Sequence, residues 1–181
     1  MSGKHLQFPL YASIIKRKWG KVVKSGESNP SGDDKLPNGG DKMLTGQYAH
    51  SLDAKGRVNF PVRLREELGE HFIITRGLDN CLFVYSIEEW GRLAAKLREL
   101  PISKSAPLNR FFFAGAAEVE ADKQGRVLIP AHLREFAGIE RDVTIAGVSN
   151  RAEIWDTARW ERNNELLTAE TIASAMDELG F

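Results

Sequence analysis

Residues 53–65 read DAKGRVNFPVRLR and residues 122–134 read DKQGRVLIPAHLR. The two stretches place Asp, Gly, Arg, Val, Pro, Leu and Arg at the same offsets, and Glu66 and Glu135 extend the match. The spacing is 69 residues, from Asp53 to Asp122. With one further residue inserted, Gly77, Asn80, Tyr85 and Trp90 meet Gly147, Asn150, Trp155 and Trp160. The repeating unit is therefore about 50 residues long, and two copies are too few for a solenoid. A unit this small cannot cover its own apolar face and is expected to bury it against its twin.

Each unit carries the same local signals. Alternation in QYAHSLD (47–53) and GAAEVEAD (115–122) predicts half-buried strands, and the Gly before each Arg marks a tight hairpin turn needing a positive φ. RVNFP and RVLIP read as short strands ended by proline, and VRLREELG and AHLREFAG as short helices closed by glycine. The runs HFIITRG (71–77) with CLFVYS (81–86), and RDVTIAG (141–147) with AEIWD (152–156), predict a second strand pair in each unit, turning at GLDN and GVSN. Ser86 and Glu89 form a capping box for an amphipathic helix running to about Leu100, where Pro101 stops it. Asp156 to Leu167 repeats that helix, and Thr168 to Leu179 adds a last one. The division expected is residues 1–42, a first unit over 43–104, and a second over 105–181 with the C-terminal helices.

Residues 1–42 differ from the rest. KSGESNPSGDDKLPNGGDK (24–42) has almost nothing to bury and reads as a disordered linker. Ahead of it KRKWGKVVK follows the short apolar run LYASII, the reverse of a secretory signal. This region is either a basic arm or the product of a translation start set too far upstream. The chain of 181 residues has equal numbers of basic and acidic side chains, but they are segregated: residues 53–65 hold four Lys/Arg against one acid, and 135–181 hold four against ten. A neutral chain can thus present a locally basic face. No run approaches the roughly 18 apolar residues of a membrane helix. Cys81, the only cysteine, lies in an apolar run and reads as a buried thiol, which excludes an intramolecular disulfide.

Nothing in the chain reads as an enzyme. GxGxxG, GxxxxGK[ST], HExxH and GxSxG are absent, and His5, His50, His71 and His132 show no metal-ligand spacing, so neither cofactor nor metal is expected. Asp53 and Asp122 read as acceptors that hold the turn or the following Arg rather than as an acid/base pair. The turn tips project Lys55 and Arg57 in the first unit and Lys123 and Arg126 in the second, where guanidinium groups can reach phosphates or guanine edges. The alternative, that Arg57 and Arg126 are structural ion-pair residues, fits the spacing equally well. Asn59 and Arg63 face Leu128 and His132 across the repeat, so the first unit is the more polar and basic. The aromatic residues Phe111–Phe113, Tyr85, Trp90, Trp155 and Trp160 read as packing residues.

The doubled DxxGR motif, with FFFAGAAEVEADKQGR and GVSNRAEIW, resembles the MraZ family of bacterial transcription factors, whose halves are similar to the AbrB-type swapped-hairpin domain. The resemblance covers Met43 to about Trp160. It implies an α+β fold in which two tandem half-units form a pseudo-symmetric swapped-hairpin β-barrel with peripheral helices. It also implies a homo-oligomeric ring, and binding to double-stranded DNA at tandem direct repeats upstream of the division and cell-wall gene cluster. A repressor, cytoplasmic and nucleoid-associated, is the functional expectation, with no membrane and no small-molecule substrate. By position, the DNA-binding candidates are Lys55, Arg57, Asn59, Arg63, Lys123 and Arg126, supported by Asp53, Gly56, Asp122 and Gly125. Gln124 stands where the first unit has Lys55, which makes the second tip less basic. The competing reading is a ring-forming scaffold that binds protein or RNA through the same tips.

Overall fold

The computed structural model describes residues 43–180, so the expectations for residues 1–42 lie outside the described residues. Eight strands follow in chain order: β1 (Leu44–Ser51), β2 (Arg57–Asn59), β3 (His71–Arg76), β4 (Leu82–Ser86), β5 (Ala117–Glu120), β6 (Arg126–Leu128), β7 (Asp142–Ser149) and β8 (Ala152–Asp156). The helices are α1 (Val62–Leu68), α2 (Ile87–Arg98), α3 (Ile102–Phe112), α4 (Ala131–Ala137), α5 (Thr157–Glu165) and α6 (Ala169–Leu179). Six strands form an antiparallel sheet in the order β1-β7-β8-β4-β3-β5, and β2 pairs with β6 in a separate two-stranded ribbon.

The pairing is crossed between the repeats. β1, the first strand of the first unit, pairs with β7 of the second, and β5 pairs with β3 of the first. A pseudo-two-fold axis relates the halves and passes through two pairs in which a residue faces its own repeat counterpart. These are Val58 with Val127 in the ribbon and Phe83 with Glu153 where β4 meets β8. Strands are exchanged between the repeats, but among the described residues the closed barrel implied by the resemblance is not formed: the sheet is open, with β1 and β5 at its edges. The strand after each turn leaves the sheet to pair with its twin, and a single Leu52–Val58 bridge links the end of β1 to β2.

Alternation along the strands distributes side chains to two faces. Phe72, Ile74, Leu82, Val84 and Ile154 meet Val58, Phe60, Leu64, Val127, Ile129 and Leu133 in the main core, which lies under the ribbon and the helices α1 and α4. Each such side chain, once fully buried, contributes about 1.5–3 kcal/mol. On the other face Cys81, Phe83, Tyr85 and Trp155 pack with Trp90, Leu93, Phe112 and Trp160 beneath α2, α3 and α5. The Cys81 thiol is buried, which pushes its pKa up, as expected of a structural cysteine.

Of the expected capping box the Ser86 half is formed, while the Glu89 carboxylate accepts from the Arg92 guanidinium instead. The Ser86 hydroxyl accepts from the Glu89 N–H at the start of α2, the Asp156 carboxylate from Arg159 N–H at α5, and the Thr168 hydroxyl from Thr171 N–H at α6. Helix α3 was not anticipated, because Pro107 lies inside it. An interior proline removes one hydrogen bond, a cost of about 3 kcal/mol. The aromatic run that ends α3 anchors it: the Thr75 hydroxyl donates to the Phe112 carbonyl, and Phe113 lies with its ring centroid 4.4 Å from that of Trp90.

Candidate nucleic-acid interface

The repeated sequence builds two equivalent turns. In the first, Asp53 Oδ1 accepts from the backbone N–H groups of Lys55 and Arg57, each at 2.9 Å, while Oδ2 accepts from Arg57 Nε at 2.8 Å and pairs with a second guanidinium nitrogen at 2.7 Å. In the second, Asp122 Oδ1 accepts from Gln124 and Arg126 N–H at 3.0 Å, and Oδ2 meets Arg126 Nε at 2.9 Å and its terminal nitrogen at 2.7 Å. Gly56 and Gly125 turn the chain at φ values of 79° and 77°, a region that L side chains avoid. The carboxylate thus holds the turn and the arginine at once.

These bonds favour the ionised carboxylates. The Arg57 backbone N–H, followed by its side chain, lowers the pKa of Asp53 to about 2. For Asp122 the Arg126 side chain leads, followed by its backbone N–H, again to about 2. Groups that give up a proton this readily are poor general acids or bases near neutral pH. No cluster of three or more His, Cys, Asp and Glu suited to a metal ion occurs among the described residues.

Each turn is completed by an arginine from the other unit. Arg65 donates from Nε to the Phe60 carbonyl at 3.0 Å, and Arg134 donates likewise to the Ile129 carbonyl at 3.1 Å. These anchors swing the guanidinium groups across the pseudo-axis. A Cβ placed on Gly56 would lie 2.9 Å from Arg134 Cζ, and one on Gly125 would lie 2.8 Å from a terminal nitrogen of Arg65. The first tip therefore gathers Lys55, Arg57 and Arg134, and the second gathers Lys123, Gln124, Arg126 and Arg65. Backbone bonds lock the two together: Phe60 N–H donates to the Gly125 carbonyl and Ile129 N–H to that of Gly56, both at 3.0 Å.

Between the tips, Val58 and Val127 point into the core, so Arg57, Asn59, Arg126 and Leu128 share the outward face of the ribbon. Arg57 lies opposite Leu128 and Asn59 opposite Arg126. The side chains of Arg57 and Arg126 are 27% and 33% exposed, so each is pinned yet reachable. Arg57 also reaches across the ribbon, 3.7 Å from Asp122 Oδ2. Lys55, Lys123 and Asn59 are exposed at the tips and the ribbon edge, and Arg63 is exposed on α1. His132, which replaces Arg63 in the second unit, lies with Nε2 3.0 Å from the Gly115 carbonyl oxygen. The candidates on the tips and ribbon are thus brought together, and Arg63 stands apart on its helix. Reading the tips one unit at a time overlooked Arg65 and Arg134. Both stand at matching places in the repeat, and that was the signal available.

Comparison with known proteins fits this geometry. The family model whose description reads "MraZ protein" and carries the words "antitoxin-like" matches residues 43–107 and again 112–178. The transcriptional regulator MraZ of Acetivibrio thermocellus is 59% identical over 143 residues, which cover 77% of this chain and all of that protein. The transcriptional regulator MraZ of a Thermoanaerobacter species is 57% identical over the same length and coverage. That of Heliobacterium modesticaldum is 55% identical over 125 residues, covering 68% of this chain and 87% of the relative. A doubled family match that spans both crossed turns, together with relatives more than half identical over 87% or more of their length, establishes that the chain belongs to the MraZ family.

Proposed function

We propose that this protein is a sequence-specific DNA-binding transcriptional regulator that acts as a repressor, and that the β2–β6 ribbon enters the major groove with its two tips on the flanking phosphates. The observation that carries this reading is the convergence of six cations, Lys55, Arg57, Arg65, Lys123, Arg126 and Arg134, on one ribbon and its ends. Two-stranded ribbons fit the major groove, where arginine meets the O6 and N7 edge of guanine. Arg57, Asn59 and Arg126 face outward for base contact, while Lys55, Lys123 and Arg63 supply phosphate attraction. The printed names of the relatives, transcriptional regulator, support the same reading.

One good bidentate base contact is worth about 1–3 kcal/mol, too little for useful affinity by itself. Assembly of several protomers in a ring on tandem direct repeats, upstream of the division and cell-wall gene cluster, would raise the effective concentration of each further contact. Such a protein works in the cytoplasm, on the nucleoid. Fluorescence anisotropy of the full chain on one, two and three repeats from the DNA upstream of its own gene tests this. Affinity should climb steeply with repeat number and fall steeply with salt. Equal affinity for random duplex at every salt concentration, or preference for RNA or a protein partner, would refute it.

A further inference from the structure

We infer that Leu128 reads the methyl group of a thymine in the major groove, and that its mismatch with Asn59 gives the ribbon a direction on DNA. The inference rests on the proposed major-groove reading and adds to it a residue that specifies sequence without a hydrogen bond. A single exposed leucine is ordinary on a protein surface. The setting of this one is not. Leu128 is 52% exposed, although the neighbouring Val127 on the same strand is fully buried. It stands on the outward face of the ribbon, directly across from Arg57, where the other three outward side chains are Arg57, Asn59 and Arg126.

A protein two-fold axis laid on a DNA dyad reads an inverted repeat, because equivalent side chains meet equivalent bases on the two strands. The pseudo-axis through Val58 and Val127 relates Arg57 to Arg126, and matching aspartates hold both, so the arginines keep that symmetry. Asn59 and Leu128 break it, and they are the only outward positions of β2 and β6 that do. One end of the ribbon therefore presents a guanidinium beside an isobutyl group, and the other a guanidinium beside a carboxamide. The exposed Asn59 amide makes no hydrogen bond among the described residues, which leaves its donor and acceptor for the N7 and N6 edge of an adenine. Leucine offers neither. The apolar group that base pairs present in this groove is the thymine C5 methyl. A polar base edge set against Leu128 would lose its water with nothing in exchange, so the leucine also selects against such a base. The ribbon hence fits one orientation of a non-palindromic site better than the reverse.

Fluorescence anisotropy of the full chain on the DNA upstream of its own gene tests this, with each thymine position of the repeat replaced in turn by deoxyuridine, which removes only the C5 methyl. At one position the wild type should lose about fourfold in affinity per repeat, the worth of one buried methyl group. Leu128→Ala should bind the natural DNA more weakly and no longer distinguish uracil from thymine there, with circular dichroism unchanged. Asn59→Ala should keep that distinction and lose instead the penalty, about fivefold, that 7-deazaadenine imposes on the wild type at another position. Direction is read by iron–EDTA attached to the cysteine of Gln124→Cys, since the Cys81 thiol is buried. Cleavage should fall on one side of each repeat, and adding Leu128→Asn should spread it toward both. A wild type indifferent to uracil at every thymine, unchanged uracil sensitivity in Leu128→Ala, or a cleavage bias that Leu128→Asn leaves intact would overturn the inference. So would altered sedimentation of DNA-free Leu128→Ala with uracil discrimination retained, which marks the leucine as a contact between copies. If the wild type prefers the upstream DNA to random duplex yet ignores uracil, this inference fails and the proposed function stands. If it prefers no DNA, both fail.

Discussion

Alanine at position 56 should destabilise the protein by about 2–3 kcal/mol. Two terms contribute. Gly56 sits at φ 79°, and placing an L residue in the left-handed region costs about 1–2 kcal/mol. The new methyl would also stand 2.9 Å from Arg134 Cζ, so the guanidinium must move and strain or break its bond to the Ile129 carbonyl, about 0.5–1.5 kcal/mol. For a folded region of this size the sum corresponds to a melting temperature about 6–12 °C lower. Gly91→Ala is the matched control. Gly91 lies inside α2 with nothing within 4 Å of an added Cβ, so alanine there should stabilise by about 0.5–1 kcal/mol. Thermal melts of both variants, followed by circular dichroism, decide the matter. If Gly56→Ala melts within a degree or so of the wild type, or Gly91→Ala melts lower than Gly56→Ala, the account of the crossed tip is wrong.

Other expectations bear on the tips and on the interleaved fold. Arg57→Ala should abolish binding to tandem repeats while Arg126→Ala weakens it less, because Lys55 and Asn59 lie beside Arg57 at the positions where Gln124 and Leu128 lie beside Arg126; anisotropy on tandem DNA, with size-exclusion chromatography as the folding check, measures this. Asp53 and Asp122 have folded pKa values depressed to about 2, so their stabilisation is complete above the unfolded value near 4 and is lost as pH falls from there through 2. Urea titrations at several pH values should therefore show less acid sensitivity across that window in a double Asp→Asn variant. Residues 43–104 expressed alone should give poorly dispersed amide resonances, since β1 and β3 would each lack the strand the other unit supplies. A well-dispersed monomeric spectrum would contradict the interleaving.

Much of this was legible because the chain states its plan twice. Strand alternation, the Gly-Arg turns and the caps Ser86 and Asp156 are local signals, and local signals survive the absence of a structure. The burial of Cys81 and of Trp155 followed from their apolar surroundings in the same way. Closure was not legible, because whether β2 and β6 complete a barrel or leave as a ribbon depends on non-local pairing. Helix α3 was hidden by Pro107, whose cost is offset by the distant contacts of Phe112 and Phe113. The placement of Arg65 over Gly125 and Arg134 over Gly56 depends on the crossing of the units, which residue spacing alone does not reveal.

The residues on the pseudo-axis say something about how such a chain can change. Phe83 faces Glu153 there, and Glu153 is buried, accepting from the Arg151 guanidinium at 2.7 Å and from the Trp155 indole at 3.1 Å. Arg151 in turn lies 4.4 Å from the centre of the Phe83 ring. Two identical half-length chains could not hold this arrangement: any residue at this point would meet its own duplicate, and a glutamate would confront a glutamate with little water to separate them. Covalent fusion of the halves removes that constraint, since one copy can mutate while the other stays. The mismatched pair at the centre of the sheet is therefore available only to a tandem duplicate, and it ties each half to its own partner rather than to a second copy of itself.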